Sequence, residues 1–314
     1  MSFDLPALTD AVAAHGAVVR LLVTHTAGSA PRGAGTAMLI WEGGAEGTIG
    51  GGNLEWTAMD EARAMLAGGP GIRRETKALG PALDQCCGGA VRLVWERFDA
   101  GSLPEALPYA RPMGAAAEMP EKVASRARRM KPGAAPVELA GWLIEAAPAG
   151  GAPLFIWGAG HVGRALAGVI APLPGFNVTL VDVAEARLPE ALPQGVTARV
   201  AADPAALVPG LPTDAGHLIV THSHPLDLAL CHALLTHGFA HAGLIGSHSK
   251  WARFRNRLAA LGHSGAQISR IACPIGDPSY GRDPQAIAIG VAAALISGKA
   301  AGARRAAQTG DMTG

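Results

Sequence analysis

The chain has 314 residues, of which 49% are hydrophobic and 16% charged, with a formal net charge of +1. That length favours two domains, and that composition supports a large core and argues against overall disorder. A near-neutral balance with no long single-sign run argues against nucleic acid or an anionic membrane as the main partner, and no uninterrupted run of about 18 apolar residues offers a membrane span.

In chain order, residues 7–15 read as a short helix and 17–24 as a strand rich in β-branched residues. The stretch Ala27 to Gly33 is a loop by its glycine and proline content. A strand over 36–41 turns at Glu42-Gly43-Gly44, and Gly50-Gly51-Gly52-Asn53 leads into a helical pattern over 54–66. A further strand over 90–95 closes a first unit of residues 1–98. Residues 99–153 read as a linker or insertion, Ala-, Pro- and Arg-rich, with weak helical periodicity over 121–130 and a strand over 138–145 that returns to the first unit. From Leu154 to residue 298 apolar strands (154–157, 177–182, 196–200, 217–221, 241–245, 270–272) alternate with helices (161–171, 225–237, 248–261, 284–297). Such alternation implies βαβ units and a parallel sheet covered on both faces. Residues 299–314 read as a frayed tail.

Gln85-Cys86-Cys87-Gly88-Gly89 holds half of the four cysteines. Neighbours on an extended strand point to opposite faces, so at most one thiol of the pair is buried while the other faces a cavity, and the glycines let backbone or ligand approach closely. The motif reads either as a thiol presented to a ligand or as a buried cysteine beside a tight turn. The uneven cysteine spacing gives no disulfide framework, and Met1 to Asp10 lacks the regions of a signal peptide, so a reducing cytoplasm is expected.

Gly158-Ala159-Gly160-His161-Val162-Gly163 follows a strand and opens a helix, and Asp182 ends the next strand. That is the dinucleotide-binding fingerprint in its proper context, with the helix N-terminus placed to attract a phosphate and the acid placed to accept from a ribose hydroxyl or a heterocycle N–H. His222 and His224 share a face if extended and stand before Asp227, as in some metal hydrolases, or they belong to a polar loop at a sheet edge. Gly246 and Ser247 end a strand, Ser247 is placed to cap the following helix, and Lys250, Arg253, Arg255 and Arg257 follow, so the turn is a second candidate anion site or the cations form a solvated face. With Gly50, Gly51 and Gly52, two glycine loops and the cysteine pair suggest a ligand surface of backbone N–H groups in the first unit.

Together the blocks Gly28-Ser29-Ala30-Pro31-Arg32 with Gly50 to Glu55, Gln85 to Gly89, Gly158 to Val162, and Gly243 to Ser247 with Pro274-Ile275-Gly276 resemble the XdhC/CoxI family, accessory proteins of xanthine dehydrogenase and related molybdenum hydroxylases. The paired-cysteine block is closer to the xanthine dehydrogenase branch. The resemblance implies a molybdenum cofactor chaperone rather than an enzyme. Such a protein holds the phosphorylated pterin dithiolene as cargo while a terminal oxo ligand is exchanged for sulfur, then delivers it to the apo-dehydrogenase. Its expected architecture is α/β, a C-terminal Rossmann-like parallel sheet with a smaller N-terminal α/β domain. Its expected cofactor-binding residues are Gln85, Cys86, Cys87, Gly50, Gly51, Gly52, Gly158, Gly160, His161, Gly163, Asp182, Gly246 and Ser247. Contact of Cys87 with the cofactor's molybdenum is the one direct metal contact expected. Expected partners are the molybdenum-binding subunit of xanthine dehydrogenase and a cysteine desulfurase, with a homodimer left open. The fingerprint with Asp182 keeps an NAD(P)-dependent oxidoreductase as the alternative, and the histidines a metal-dependent hydrolase. The chain departs from the family pattern at Asp277, where an apolar residue is usual, and at Ala294, near which an acid is usual.

Overall fold

A computed structural model of the chain describes residues 3–68, 71–80, 88–115 and 118–298. It divides into two compact units, Met1–Ala149 and Gly150–Gly314.

The first unit begins with α1 (Leu5–His15), capped by the Asp4 carboxylate on the Ala7 N–H. It continues with β1 (Val18–Ala27), β2 (Ala37–Trp41), β3 (Gly44–Gly47), α2 (Gly52–Leu66), β4 (Ile72–Ala78) and β5 (Ala90–Phe98). These strands form an antiparallel sheet in the order β3-β2-β1-β5-β4. Alternation sends Val19, Leu21, Val23, Leu93 and Trp95 to one face, where Leu54, Ala58, Ala62 and Met65 of α2 cover them. The spacing of those helical residues is that of one apolar stripe. The Trp95 indole N–H donates to the Ala58 carbonyl at 2.9 Å and fixes the helix on the sheet.

Residues 99–149 lie in the same unit and build β6 (Tyr109–Pro112), α3 (Glu121–Arg128), β7 (Val137–Leu139) and β8 (Trp142–Glu145), a second antiparallel sheet in the order β6-β8-β7. The single strand expected over 138–145 is a hairpin, because Ala140 and Gly141 both take positive φ, 53° and 79°, the conformation of a two-residue turn. β3 and β4 are strands without an apolar alternation in the sequence. Both are sheet edges, and the charges of Arg73, Arg74, Glu75 and Lys77 on β4 suit an edge that must not recruit another strand.

Between the two sheets lie four buried charges. Arg20 of β1 donates twice to Glu145 of β8 at 2.9 and 2.8 Å. Arg111 of β6 donates to both oxygens of Glu96 on β5, the shortest bond 2.7 Å, and also to Glu145. All four residues are at most 7% exposed, and the Phe3 ring lies 4.3 Å from the Arg20 guanidinium carbon. Burial alone acts to raise the Glu145 carboxyl, but Arg20 and Arg111 outweigh it and hold the carboxyl below its usual range.

The second unit comprises β9 (Ala152–Trp157), α4 (His161–Ile170), β10 (Phe176–Asp182), β11 (Val196–Val200), β12 (Gly216–Ile219), α5 (His224–His237), β13 (His241–Leu244), α6 (His248–Ala260), α7 (Gly265–Ile268), β14 (Ile271–Ala272) and α8 (Pro284–Ile296). Its six strands are parallel, in the order β11-β10-β9-β12-β13-β14. This is the doubly wound, Rossmann-like arrangement, with the strand order reversing between β9 and β12. Leu154 and Ile156 of β9 face the core shared with Leu166, Ile170 and Val291. Phe155 and Trp157 face the other core, with Leu230, Leu234, Phe254 and Leu258. No helix among the described residues is long and apolar enough to cross a membrane.

His217 on β12 is fully buried and stacks on Phe155 and Trp157. The Trp157 indole N–H donates to its Nδ1 at 3.3 Å. Burial first, and then His241 and His237, push its imidazole down to about 3.

Two outcomes follow for stability. Replacing one member of a buried ion network leaves its partner charged and unpaired, at a cost of about 3–5 kcal/mol. Arg111→Met therefore loses stability of that order by denaturant unfolding, and Arg111→Met with Glu96→Leu loses less than the single change; a double variant as weak as the single one would show that the network does not carry the effect. For His217, the unfolded chain takes up a proton below its ordinary 6.5 while the folded ring stays neutral to about 3. Stability thus falls as pH drops through that window, by about 1.4 kcal/mol per pH unit. In pH-dependent melting, His217→Gln lacks this share of the slope between pH 6.5 and 4.

Candidate functional site

In the first unit, stretches distant in sequence meet at one place. Ala27, the last residue of β1, pairs with Ala90 of β5, which brings Gly89 against the loop that follows β1. A Cβ on Gly89 would lie 2.4 Å from the carbonyl oxygens of both Ala27 and Ser29, so only glycine fits there. Gly28 takes a positive φ of 66°, and a Cβ on it would lie 3.2 Å from the Gly89 Cα. On the other side of the loop, a Cβ on Gly50 would lie 2.4 Å from the Pro31 Cβ. Among the described residues, nothing lies within 4 Å of a Cβ built on Gly88. Gln85, Cys86 and Cys87 lie outside the described residues; Cys87 is the residue that precedes Gly88 in the chain.

Gly50, Gly51 and Gly52 form the turn into α2, and the chain itself fills this turn. The Glu55 carboxylate accepts from the N–H groups of Ile49 and Gly51 and from the Thr48 hydroxyl, at 2.9, 3.0 and 2.6 Å. The Gly50 N–H goes to the Thr48 hydroxyl at 3.0 Å. Burial acts to raise the Glu55 carboxyl, but these bonds outweigh it and hold it below the usual carboxylate range. Of the backbone N–H groups expected to form a ligand surface here, those of Gly50 and Gly51 are therefore already paired within the chain, to Thr48 and Glu55. The pattern Thr48 with Glu55 was the sequence signal for it.

In the second unit, the loops after β9, β10, β12 and β13 emerge at the carboxyl edge of the parallel sheet, where ligands bind in such folds. The turn after β9 carries the fingerprint glycines. Gly158 takes a φ of 110°, and a Cβ on Gly163 would lie 1.8 Å from the Gly158 carbonyl oxygen, so α4 packs directly on the turn. Gly160 is the N-cap of α4 and provides no side-chain cap, and His161 opens the helix exposed.

Asp182, 4% exposed, spends both carboxylate oxygens on the protein. It accepts from the Ala159 N–H at 2.7 Å, the Val183 N–H at 2.7 Å and the Arg187 Nε–H at 2.8 Å. Arg187, on a 3₁₀ turn over Glu185–Arg187 where a crossover helix is usual, also places a terminal nitrogen 3.0 Å from the His222 Nδ1. The guanidinium thus bridges the loops after β10 and β12, across the end of β9. The space left among Gly158, Asp182, Thr221 and His222 is about 10 Å³, room for one water at most. Arg187 had no signature in the sequence.

The loops after β12 and β13 are joined by a second buried ion pair. Lys250 of α6 donates to Asp227 of α5 at 2.6 Å and to the Ile245 carbonyl at 2.9 Å, and Thr221 donates to Asp227 at 2.7 Å. Ser247 caps α6 on the Lys250 N–H, and Gly246 leaves room for the Lys250 stem, which a Cβ there would meet at 2.8 Å. Lys250 thus serves the interior, while Arg253, Arg255 and Arg257 are exposed. His224 packs edge-on against Phe254 and His222 meets Arg187, so the two rings are not turned to one centre. Among the described residues, no group of three or more His, Cys, Asp or Glu could hold a metal ion. Asp277 and Ala294 line one groove of about 480 Å³ beside α8, with Pro274, Gly276 and Gly290.

Comparison with known proteins sets this geometry in a family. The chain is similar to the uncharacterized protein YqeB of Escherichia coli (strain K12), 31% identical over 147 residues, which are 46% of this chain and 27% of that protein. This chain thus spans about a quarter of the length of that relative. A solved structure from Bacillus halodurans, described as a xanthine dehydrogenase, superposes with a TM-score of 0.69 at 20% identity over 95% of both chains, and so shares the fold. The sequence model of the XdhC and CoxI family matches residues 11–75, and that of the XdhC Rossmann domain matches residues 154–295. Between them the two matches take in most of the chain, and it belongs to the XdhC and CoxI family.

Proposed function

We propose that this protein is an accessory protein of xanthine dehydrogenase maturation that binds the molybdenum cofactor as cargo. It holds the cofactor while a terminal oxo ligand is replaced by sulfur and hands it to the apo-dehydrogenase. Family membership supports the maturation role. The observation that carries the cargo reading is the meeting of Gly28–Pro31, Gly50 and Gly88–Gly89, because it gathers three separate sequence blocks around the residues that follow Cys86 and Cys87. Thiols are soft donors, suited to a molybdenum centre or a sulfur-rich ligand. A cysteine desulfurase supplies the sulfur from a persulfide, a thiol reductant supplies the two electrons that bring that sulfur to the sulfide level, the oxo oxygen leaves as water, and the molybdenum-binding subunit of the dehydrogenase receives the product. Near-neutral net charge gives little long-range steering, so these encounters are transient.

An oxidoreductase that uses NAD or NADP is the second reading, and Asp182 speaks against it. A ribose hydroxyl needs a free carboxylate oxygen at the end of the second strand, and here three protein donors already occupy that carboxylate.

Two measurements test the choice. Cys87→Ala is expected to weaken retention of isolated molybdenum cofactor roughly 30-fold or more, the scale of a lost hot-spot contact of about 2 kcal/mol, with an unchanged melting curve; equal affinity of variant and parent would refute the thiol's role. Calorimetry with NAD and NADP is expected to find no binding tighter than about 1 mM, and micromolar affinity with turnover of any substrate would promote the second reading.

A further inference from the structure

If the cargo is a phosphorylated pterin, something must balance its negative charge at the place where the glycine blocks meet. The turn into α2 cannot do so by itself. Its Ile49, Gly50 and Gly51 N–H groups are already bonded within the chain, and the bonded Glu55 carboxylate is held below its usual range, so it adds a negative charge at the helix start. An incoming phosphate would meet repulsion there unless a cation stood beside it.

One cation does stand there. Arg32 is exposed and follows Pro31, whose ring packs on Gly50; its own Cγ would lie 3.6 Å from a Cβ on Gly50. The loop that carries it is held on the other side by the close approach of Gly28 to Gly89. Both anchors fix where the Arg32 stem leaves the backbone, while its head remains uncommitted. Every other described Arg or Lys between residues 18 and 98 is in an ion pair with a carboxylate. Among the described residues Arg32 has no such partner. A guanidinium is a planar fork of donors that matches a phosphate in two parallel bonds, and it stays charged at any physiological pH.

We propose that Arg32 is the specificity-determining residue for the phosphate of the pterin cargo, on the loop whose Gly28 approaches Gly89 and whose Pro31 packs on Gly50. The inference rests on the cargo reading above and deepens it, by assigning the anionic end of the ligand to one side chain.

The test uses the full chain and two fluorescent probes, the oxidised pterin phosphate released from isolated cofactor and the same pterin after phosphatase treatment. The parent is expected to prefer the phosphorylated probe by about 10- to 100-fold, the range of a charge-assisted bond to phosphate. Arg32→Ala is expected to bind both probes as the parent binds the dephosphorylated one, and Arg32→Lys to recover part of the preference, since it restores the charge without the fork. Arg32→Gln, which keeps length and polarity, serves as a second neutral variant, and the melting curves of all three should match the parent. A preference that survives in both neutral variants, or an equal loss on both probes, would overturn the assignment to Arg32 while leaving the cargo reading intact. A parent that binds neither probe nor the intact cofactor would overturn the cargo reading, and the role of Arg32 with it.

Discussion

Backbone N–H groups exposed at a glycine turn must find acceptors, and in this chain two carboxylates supply them from within. Glu55 closes the turn into α2, and Asp182 closes the fingerprint turn before α4. The energetics favour this arrangement. A buried N–H left unpaired costs about 1–3 kcal/mol, and a carboxylate accepting several N–H groups is stabilised in its charged form. The same geometry that makes a glycine turn a phosphate cradle in other proteins makes it here a rigid corner. The loops around it are then held in place without a ligand.

Rigidity in the first unit has a second source. The Arg20–Glu145–Arg111–Glu96 network ties the five-stranded sheet to the small sheet built from residues 109–145. Buried ion pairs are weak contributors to net stability because each charge gives up its hydration. Their effect is on specificity of arrangement. A guanidinium held by two carboxylates in fixed directions admits few registers between β1, β5, β6 and β8, whereas the aliphatic contacts of Leu22, Val94 and Leu143 beside it would tolerate sliding. β1, buried on both faces through seven residues, is thereby fixed up to the point where its chain leaves the sheet at Ala27, and that is the point from which the loop carrying Arg32 starts.

The legible and illegible parts of the fold divide by how local their causes are. The second unit was legible because each βα step carries its own signals: an apolar run, a glycine turn, a capping serine such as Ser247, and Asp182 at the end of the next strand. β3, β4 and β6 were not, since edge strands owe their conformation to a neighbour's hydrogen bonds and keep charged side chains that hide the period of two. The hairpin of β7 and β8 was missed because Ala140 at positive φ is an unusual turn residue. The glycine blocks of the first unit could be recognised one by one, but their convergence depends on the pairing of β1 with β5, a contact across more than sixty residues of sequence. Arg187 and the Asp227–Lys250 pair were hidden for the same reason: their partners come from other strands' loops.

The cysteines show how burial sorts residues of one type into different chemistry. Cys231, on α5, is fully buried in the core, and burial, with Asp227 and Cys273 adding to it, pushes its thiol well up. Cys273 is half-buried beside Gly246, and burial pushes its thiol up to about 11, even though Lys250 acts in the opposite sense. Only a thiolate is a good nucleophile or metal ligand, so at neutral pH both remain protonated and act as small apolar side chains. The difference between the two is one of degree of burial: Cys231 is sealed in the core among Leu230, Leu234 and Phe254, whereas Cys273 stays half-buried with Lys250 beside it.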